Sequence, residues 1–481
     1  MKATKYALIV MAALALVGAA GVTYLALTFD PLDYAPRLIA VVKDKTGRTL
    51  AIKGRIELSF WPKLSLASGA MSLSERSSKA PFAEIEGARL NVRLLPLLSR
   101  QIVVDGIVIA GAHVRVTKFA DGRLNIDDLI SSEGGALAFD IGRIRVEHSA
   151  LTYSDVAKGD AYEFSAIEFE SDRVSSAHNT PLTLAFRARD RAAAFDIAAQ
   201  LTGRYTFDAR SDRYALHETA LHLTGTALGL TQLAVQAQGD FAVTGQGRDA
   251  QLAKAAVTLK GVWKGAIVEA GLAGDALAIV AGKVSVDALR ADVRWRSNAG
   301  TAKLDLAVPR LQYAGQTWTG TDATMAVDLG RSGRVMHASI AAPLEIDPIR
   351  RMWRLPQMQT RFSVRGAGLP DAGVTGALSG HAEVDLSKQH IQSRVAGRIG
   401  ASEIKAVLTS TGFAVPAYTF AVEVDQLDLD DYIVTDKVPT SGPDKINLDA
   451  IAELPATGTL EIGILKTSGM RANNVKLVIK P

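Results

Sequence analysis

Apolar residues recur along this chain with three different spacings, and each spacing predicts a different element. Tyr6 to Phe29 is a run of 24 positions without a charged side chain. A helix needs about 20 such residues to cross the hydrocarbon of a bilayer. Tyr6, Leu8, Ile9, Leu16, Val17, Leu25, Leu27 and Phe29 supply its apolar surface. A cleaved signal peptide has a shorter apolar region, about 7–15 residues, ending at small residues. Here the apolar residues continue past Gly18-Ala19-Ala20-Gly21, so the run predicts an uncleaved anchor. Only Lys2 and Lys5 carry charge before it, so residues 1–29 read as a cytoplasmic stub and a single span. Everything from Asp30 onward then lies across the membrane.

The next spacing is helical. Asp33 suits an N-cap, Pro36 falls in the first turn, and Tyr34, Leu38, Val41 and Val42 share a face. This short amphipathic helix is expected to end near Lys45-Thr46-Gly47.

Period two follows. Ile56, Leu58 and Phe60 alternate with Arg55, Glu57 and Ser59, and Leu90, Val92 and Leu94 with Arg89, Asn91 and Arg93. Phe420, Val422 and Val424 repeat the pattern near the other end. Successive strand side chains point to opposite faces, so each run predicts a sheet with one apolar and one wet face. Turns are expected at Asp105-Gly106, Asp121-Gly122, Gly159-Asp160 and Ser332-Gly333. The protein is therefore expected to be mostly β. An apolar sheet face is ordinarily buried by a second layer, giving a multi-sheet β-sandwich. The alternative is one long curled antiparallel sheet forming a trough.

Composition narrows the chemistry. The chain has no cysteine, which excludes disulfides and thiolate sites. Lys and Arg total 54 against 50 Asp and Glu, too even for a nucleic-acid-binding body. The balance is locally broken by Arg37, Lys43, Lys45, Arg48, Lys53, Arg55 and Lys63, opposed only by Asp44 and Glu57. Beside an anchor, such a strip suits anionic headgroups at about 1 kcal/mol per charge.

Other constellations fail. His217 and His222 are five apart, whereas a zinc helix needs four, and on a regular strand they point to opposite sides. Gly366-Ala367-Gly368 lacks the third glycine of a dinucleotide loop. Asp425, Asp428, Asp430 and Asp431 do not follow a calcium-loop pattern. No catalytic residue, metal or cofactor is expected.

Specific blocks do carry a resemblance. Lys45-Thr46-Gly47-Arg48-Thr49-Leu50, Leu58-Ser59-Phe60-Trp61-Pro62, Leu94-Leu95-Pro96-Leu97-Leu98 and Asp121-Gly122-Arg123-Leu124-Asn125-Ile126-Asp127-Asp128-Leu129 follow one another in order. With Val424-Asp425-Gln426-Leu427-Asp428-Leu429-Asp430-Asp431-Tyr432, this order resembles the AsmA family of Gram-negative bacteria. The resemblance implies a periplasmic protein held in the inner membrane and concerned with outer-membrane biogenesis. It implies a chorein-like region over 30–180, a β-rich groove over 181–436, and a loop with a β region over 437–481, shortened relative to the family. It favours the trough.

Membrane lipids, phospholipid or related, are the expected partners, with envelope-assembly proteins as further candidates. Moving a 16-carbon chain from bilayer to water costs on the order of 12 kcal/mol. An apolar face that shelters the tail removes that cost without catalysis. Ile56, Leu58, Phe60, Leu90, Val92 and Leu94 are the groove candidates. The other reading is an interaction scaffold for outer-membrane protein or lipopolysaccharide assembly that carries no lipid.

Overall fold

The computed structural model describes residues 35–59, 64–76, 78–93, 103–130, 142–173, 178–190, 194–208, 211–245, 248–370, 373–413, 415–432, 456–467 and 469–480. The expected anchor Tyr6–Phe29 lies outside them, as do Phe60, Lys63, Leu94 and the segment 437–445. No described helix is long and apolar enough to cross a membrane. The described chain is mostly strand, in two compact units, residues 1–234 and 235–481.

The first unit opens with helix α1 (Ala35–Thr46). Gly47, at φ +70, turns the chain out of it and donates to Lys43 O at 2.9 Å. Lys43 Nζ returns to Gly47 O at 3.1 Å, so a cation meets the carbonyl end of the helix.

Eight short strands follow: β1 (Leu50–Ile52), β2 (Ile56–Ser59), β3 (Leu64–Ser68), β4 (Met71–Ser74), β5 (Pro81–Ile85), β6 (Gly87–Val92), β7 (Val104–Ala110) and β8 (His113–Lys118). They behave as four longer strands, each broken once. Pairs β2–β3, β3–β6 and β6–β7 continue as β1–β4, β4–β5 and β5–β8. At the first break Gly54 and Gly69 touch: a Cβ on Gly54 would lie 2.2 Å from Gly69 Cα. Only residues without side chains fit there. Helix α2 (Asp127–Ile130) precedes β9 (Ile144–Asp155), which pairs in parallel with β7 through Ile144–Glu147 and with β8 through Ala150–Asp155. Antiparallel strands β10 (Asp160–Ser171), β11 (Thr180–Asp190), β12 (Asp196–Asp208) and β13 (Arg213–Ala227) extend the sheet from β9. Strand β14 (Leu230–Thr244) crosses the boundary between the units.

The second unit contains β15 (Asp249–Trp263), β16 (Ala266–Val280), β17 (Lys283–Ser297), β18 (Gly300–Ala314), β19 (Thr317–Arg331), β20 (Arg334–Asp347), β21 (Met352–Gly366), β22 (Val374–Asp385), β23 (His390–Ile399), β24 (Ser402–Thr411), β25 (Ala417–Asp428), β26 (Ala456–Thr467) and β27 (Met470–Ile479). Each pairs with the next, so this unit is one sheet and not two facing sheets. From β16 to β20 the strand starts are evenly spaced: Ala266, Lys283, Gly300, Thr317, Arg334. Most of the intervening turns have two central residues at positive φ, as at Ala281-Gly282 (49° and 77°) and Ser332-Gly333 (50° and 76°). That mirror-image turn matches the right-handed twist of the strands it joins.

Two expectations need correcting. The sheet is mixed, because β25–β26 is parallel, as are the pairs made by β7 and β8 with β9. Long crossovers precede β9 and β26, and parallel pairs require them. Asp105-Gly106 is not a turn but part of β7. Gly106 is buried, and a Cβ there would sit 3.3 Å from Arg143 O. Its smallness serves close backbone approach.

Candidate functional site

The 45–50 and 121–129 blocks, far apart in sequence, meet at one buried charge. Arg48 has no exposed side-chain surface. Its Nε and Nη2 donate to Asp128 Oδ2 and Oδ1 at 2.8 and 2.6 Å. Nη1 donates to Ser74 O at 3.2 Å, and Nη2 also reaches Asn125 O. The guanidinium lies 4.6 Å from the centroid of the Phe82 ring. Asn125, itself buried, donates to Glu75 Oε1 and Arg115 O and accepts from Thr117 N. The hydrogen bond from Arg48 holds the Asp128 carboxyl below the usual carboxylate range, against the opposing effect of burial.

Arg48 was expected to meet lipid headgroups; enclosed and fully paired, it cannot. Lys43, Lys53 and Arg55 are exposed. The side chains of Arg37 and Lys45 lie outside the described residues.

The described groove candidates share one sheet face. Register aligns Leu58, Leu66, Leu90, Ile107 and Ile144 into a row across β2, β3, β6, β7 and β9. Ile56 starts a neighbouring row that continues through Ile109, Val146, Phe169, Leu184 and Leu201 to Leu221 on β13. Val92 pairs with Leu64 and Val104 on the same face. All are half-buried.

The second unit has an apolar face of its own. One row runs from Val257 through Leu306, Met325, Ile340 and Ile404 to Val475 on β27, a position on every strand. Alternation on its long strands contains a phase slip that the sequence reading missed. On β18 the apolar positions are Ala302, Leu304, Leu306 and Val308, then Leu311 and Tyr313. On β19 they are Trp318 and Gly320, then Ala323, Met325 and Val327. The slips align as Lys254, Asp275, Ala288, Pro309 and Asp322, where the ladders are interrupted. Lys254, Ala288 and Asp322 adopt positive φ there. Pro309, Pro343 and Pro356, lacking N–H donors, are tolerated in central strands because the ladders break at this crease.

Burial follows the crease. Val308 is 1% exposed, and Val286, Leu311 and Ala323 beside it are also buried. Farther along the strands Val293 reaches 37% and Leu329 39%. Lys254, Pro309 and Asp322 are exposed on the other side. A sheet bent toward its apolar face crowds that face at the bend and opens it toward the strand ends. The opposite face bears Lys260, Glu269, Arg294, Lys303 and Asp328 in one row. An open cleft of about 760 Å³ is lined by Leu306, Met325, Ile340 and Leu378 of the apolar row together with small neighbours such as Ala307 and Ala326.

Expected opposite orientations for His217 and His222 are corrected. They pair with Arg204 and Gln200, four apart on β12, so both share a face. An irregularity at Glu218, φ +51, inserts one residue between them. Four strand positions separate them by roughly 13 Å, too far to share an ion. Among the described residues no cluster of three or more metal-ligating side chains occurs.

Comparison with known proteins matches the AsmA family model to residues 1–454. Protein AsmA of Escherichia coli (strain K12) is 29% identical over 143 residues, covering 28% of this chain and 23% of the relative. The aligned stretch is less than a quarter of that relative's length.

Proposed function

This chain belongs to the AsmA family, and from that premise we propose that it is anchored in the inner membrane and shelters lipid acyl chains along the apolar face of its periplasmic sheet, in the service of outer-membrane biogenesis. The observation that carries the reading is the burial gradient. Val308 at the crease is closed, while Leu306, Met325 and Ile340 beside it remain half-buried on a face that no described helix covers in the second unit. A closed core would bury Leu306, Met325 and Ile340 as completely as Val308, as the same row is buried at Val424 and Ile462. An open apolar face is unfavourable in water at about 25 cal/mol per Å², and acyl chains relieve that cost. The exposed Lys43 on α1 and Lys53 and Arg55 between β1 and β2 suit headgroups, and Tyr6–Phe29 suits a span.

Mass spectrometry of lipid co-purifying with the full chain tests the proposal. Diacyl lipid is expected with the wild type, and much less with Leu306→Glu/Ile340→Glu or Leu58→Glu/Val92→Glu, both remaining folded. Unfolding of both variants would mean that these rows are core, and the proposal would fall.

A further inference from the structure

We propose that three loops at one end of the second unit form a docking tip for an anionic bilayer surface. The proposed function supplies the tip's purpose; its chemistry stands independently. The β20–β21 loop is held by Asp347, whose Oδ1 accepts from the amides of Ile349 and Arg350 at 3.0 and 2.8 Å. Ile349 is left 65% exposed at its apex. The β22–β23 loop repeats the device: Asp385 Oδ1 accepts from Ser387 and Lys388 at 3.0 and 2.9 Å. The β24–β25 loop presents Phe413 and Val415, the latter 86% exposed.

Hydrogen bonds fasten these loops to one another. Leu386 N donates to Arg351 O at 3.0 Å, Gly412 N to Gln389 O at 2.8 Å, and Phe413 N to Gln389 Oε1 at 3.2 Å. The apolar apices are therefore held in water rather than folded back. Exposed Arg350, Arg351 and Lys388 stand among them. Arg350 and Lys388 pair with Asp347 and Asp385 at 3.8 and 3.2 Å, so these loops keep a net positive charge through Arg351. Large apolar side chains beside exposed cations in net excess suit the boundary of an anionic membrane, where the former insert and the latter meet headgroups. The centre of a protein interface is instead depleted of charge. Behind the tip runs the row Ile346, Trp353, Val384, Ile391, Ser410, Tyr418, on the same face as Leu344. Trp and Tyr favour the headgroup level, so the tip adjoins the end of the apolar face.

The test uses the full chain held in nanodiscs of phosphatidylcholine and floated with vesicles of phosphatidylcholine and phosphatidylglycerol. The wild type is expected to float with them and not with pure phosphatidylcholine vesicles. Ile349→Ser/Val415→Ser should lower the bound fraction about tenfold. Arg350→Gln/Arg351→Gln should lower it roughly fivefold per charge. Both variants should keep the wild-type melting temperature and co-purified lipid. Flotation unchanged in both variants, or equal on neutral vesicles, would overturn the docking tip and leave lipid sheltering intact. A wild type that floats but carries no lipid would overturn sheltering and leave the tip intact.

Discussion

Arg48 and Asp128 form a two-point ion pair, Nε to Oδ2 at 2.8 Å and Nη2 to Oδ1 at 2.6 Å, across 80 residues of sequence. It ties the turn after α1 to the start of α2, and thereby fixes the first strands against the crossover that sends the chain to β9. A solvated basic strip would leave this arginine free; here it is a structural charge.

Removing one partner from a buried pair leaves the other uncompensated. Arg48→Ala is expected to lose about 3–5 kcal/mol of unfolding free energy. Arg48→Lys should recover little, since an ammonium cannot grip both oxygens. Denaturant midpoints of the variants check this.

The same pair predicts acid sensitivity. Asp128 has a folded pKa below its unfolded value of about 3.9, so its contribution is complete above that value and is lost as pH falls through the folded one. Wild-type stability should decline below about pH 4. In Asp128→Asn that part of the decline should be absent, starting from a lower plateau. A pH series of thermal unfolding distinguishes the two.

Gly54→Ala should destabilise by about 1–3 kcal/mol or more, because its Cβ meets Gly69 backbone at 2.2 Å and backbone cannot rotate away. An unchanged melting temperature would refute the close approach.

At the crease, Ala288 holds φ +53. Ala288→Gly should relieve left-handed strain and stabilise by about 0.5–1 kcal/mol after the entropic cost of glycine. An ordinary strand position would lose stability on the same change, so chemical denaturation gives opposite signs.

Floor and wall should respond differently to truncation. Val308→Ala is expected to cost roughly 2 kcal/mol, as for a closed core position. Leu329→Ala should stay within about 0.5 kcal/mol. Equal losses at both positions would contradict the burial gradient.

The alternation of Ile56 with Glu57, and of Val422 with Glu423, announced strands and a two-faced sheet, because period two is a local property of extended backbone. Gly47 ending α1 and Gly159 and Ser332-Gly333 turning the chain were legible for the same reason. The shared order of short blocks pointed to the family before any strand was paired. Whether Arg48 faces water or Asp128 was not legible, since that contact closes a long loop and no local spacing encodes it. Nor was the role of Gly106, which answers to Arg143 on another segment. The crease was written in the sequence as a phase slip at Asp287-Ala288, Pro309 and Asp322. It gained meaning only when register set those positions side by side. Local sequence chose which side chains share a face; strand pairing and bending, which depend on contacts between distant segments, chose which of them are closed and which stay open.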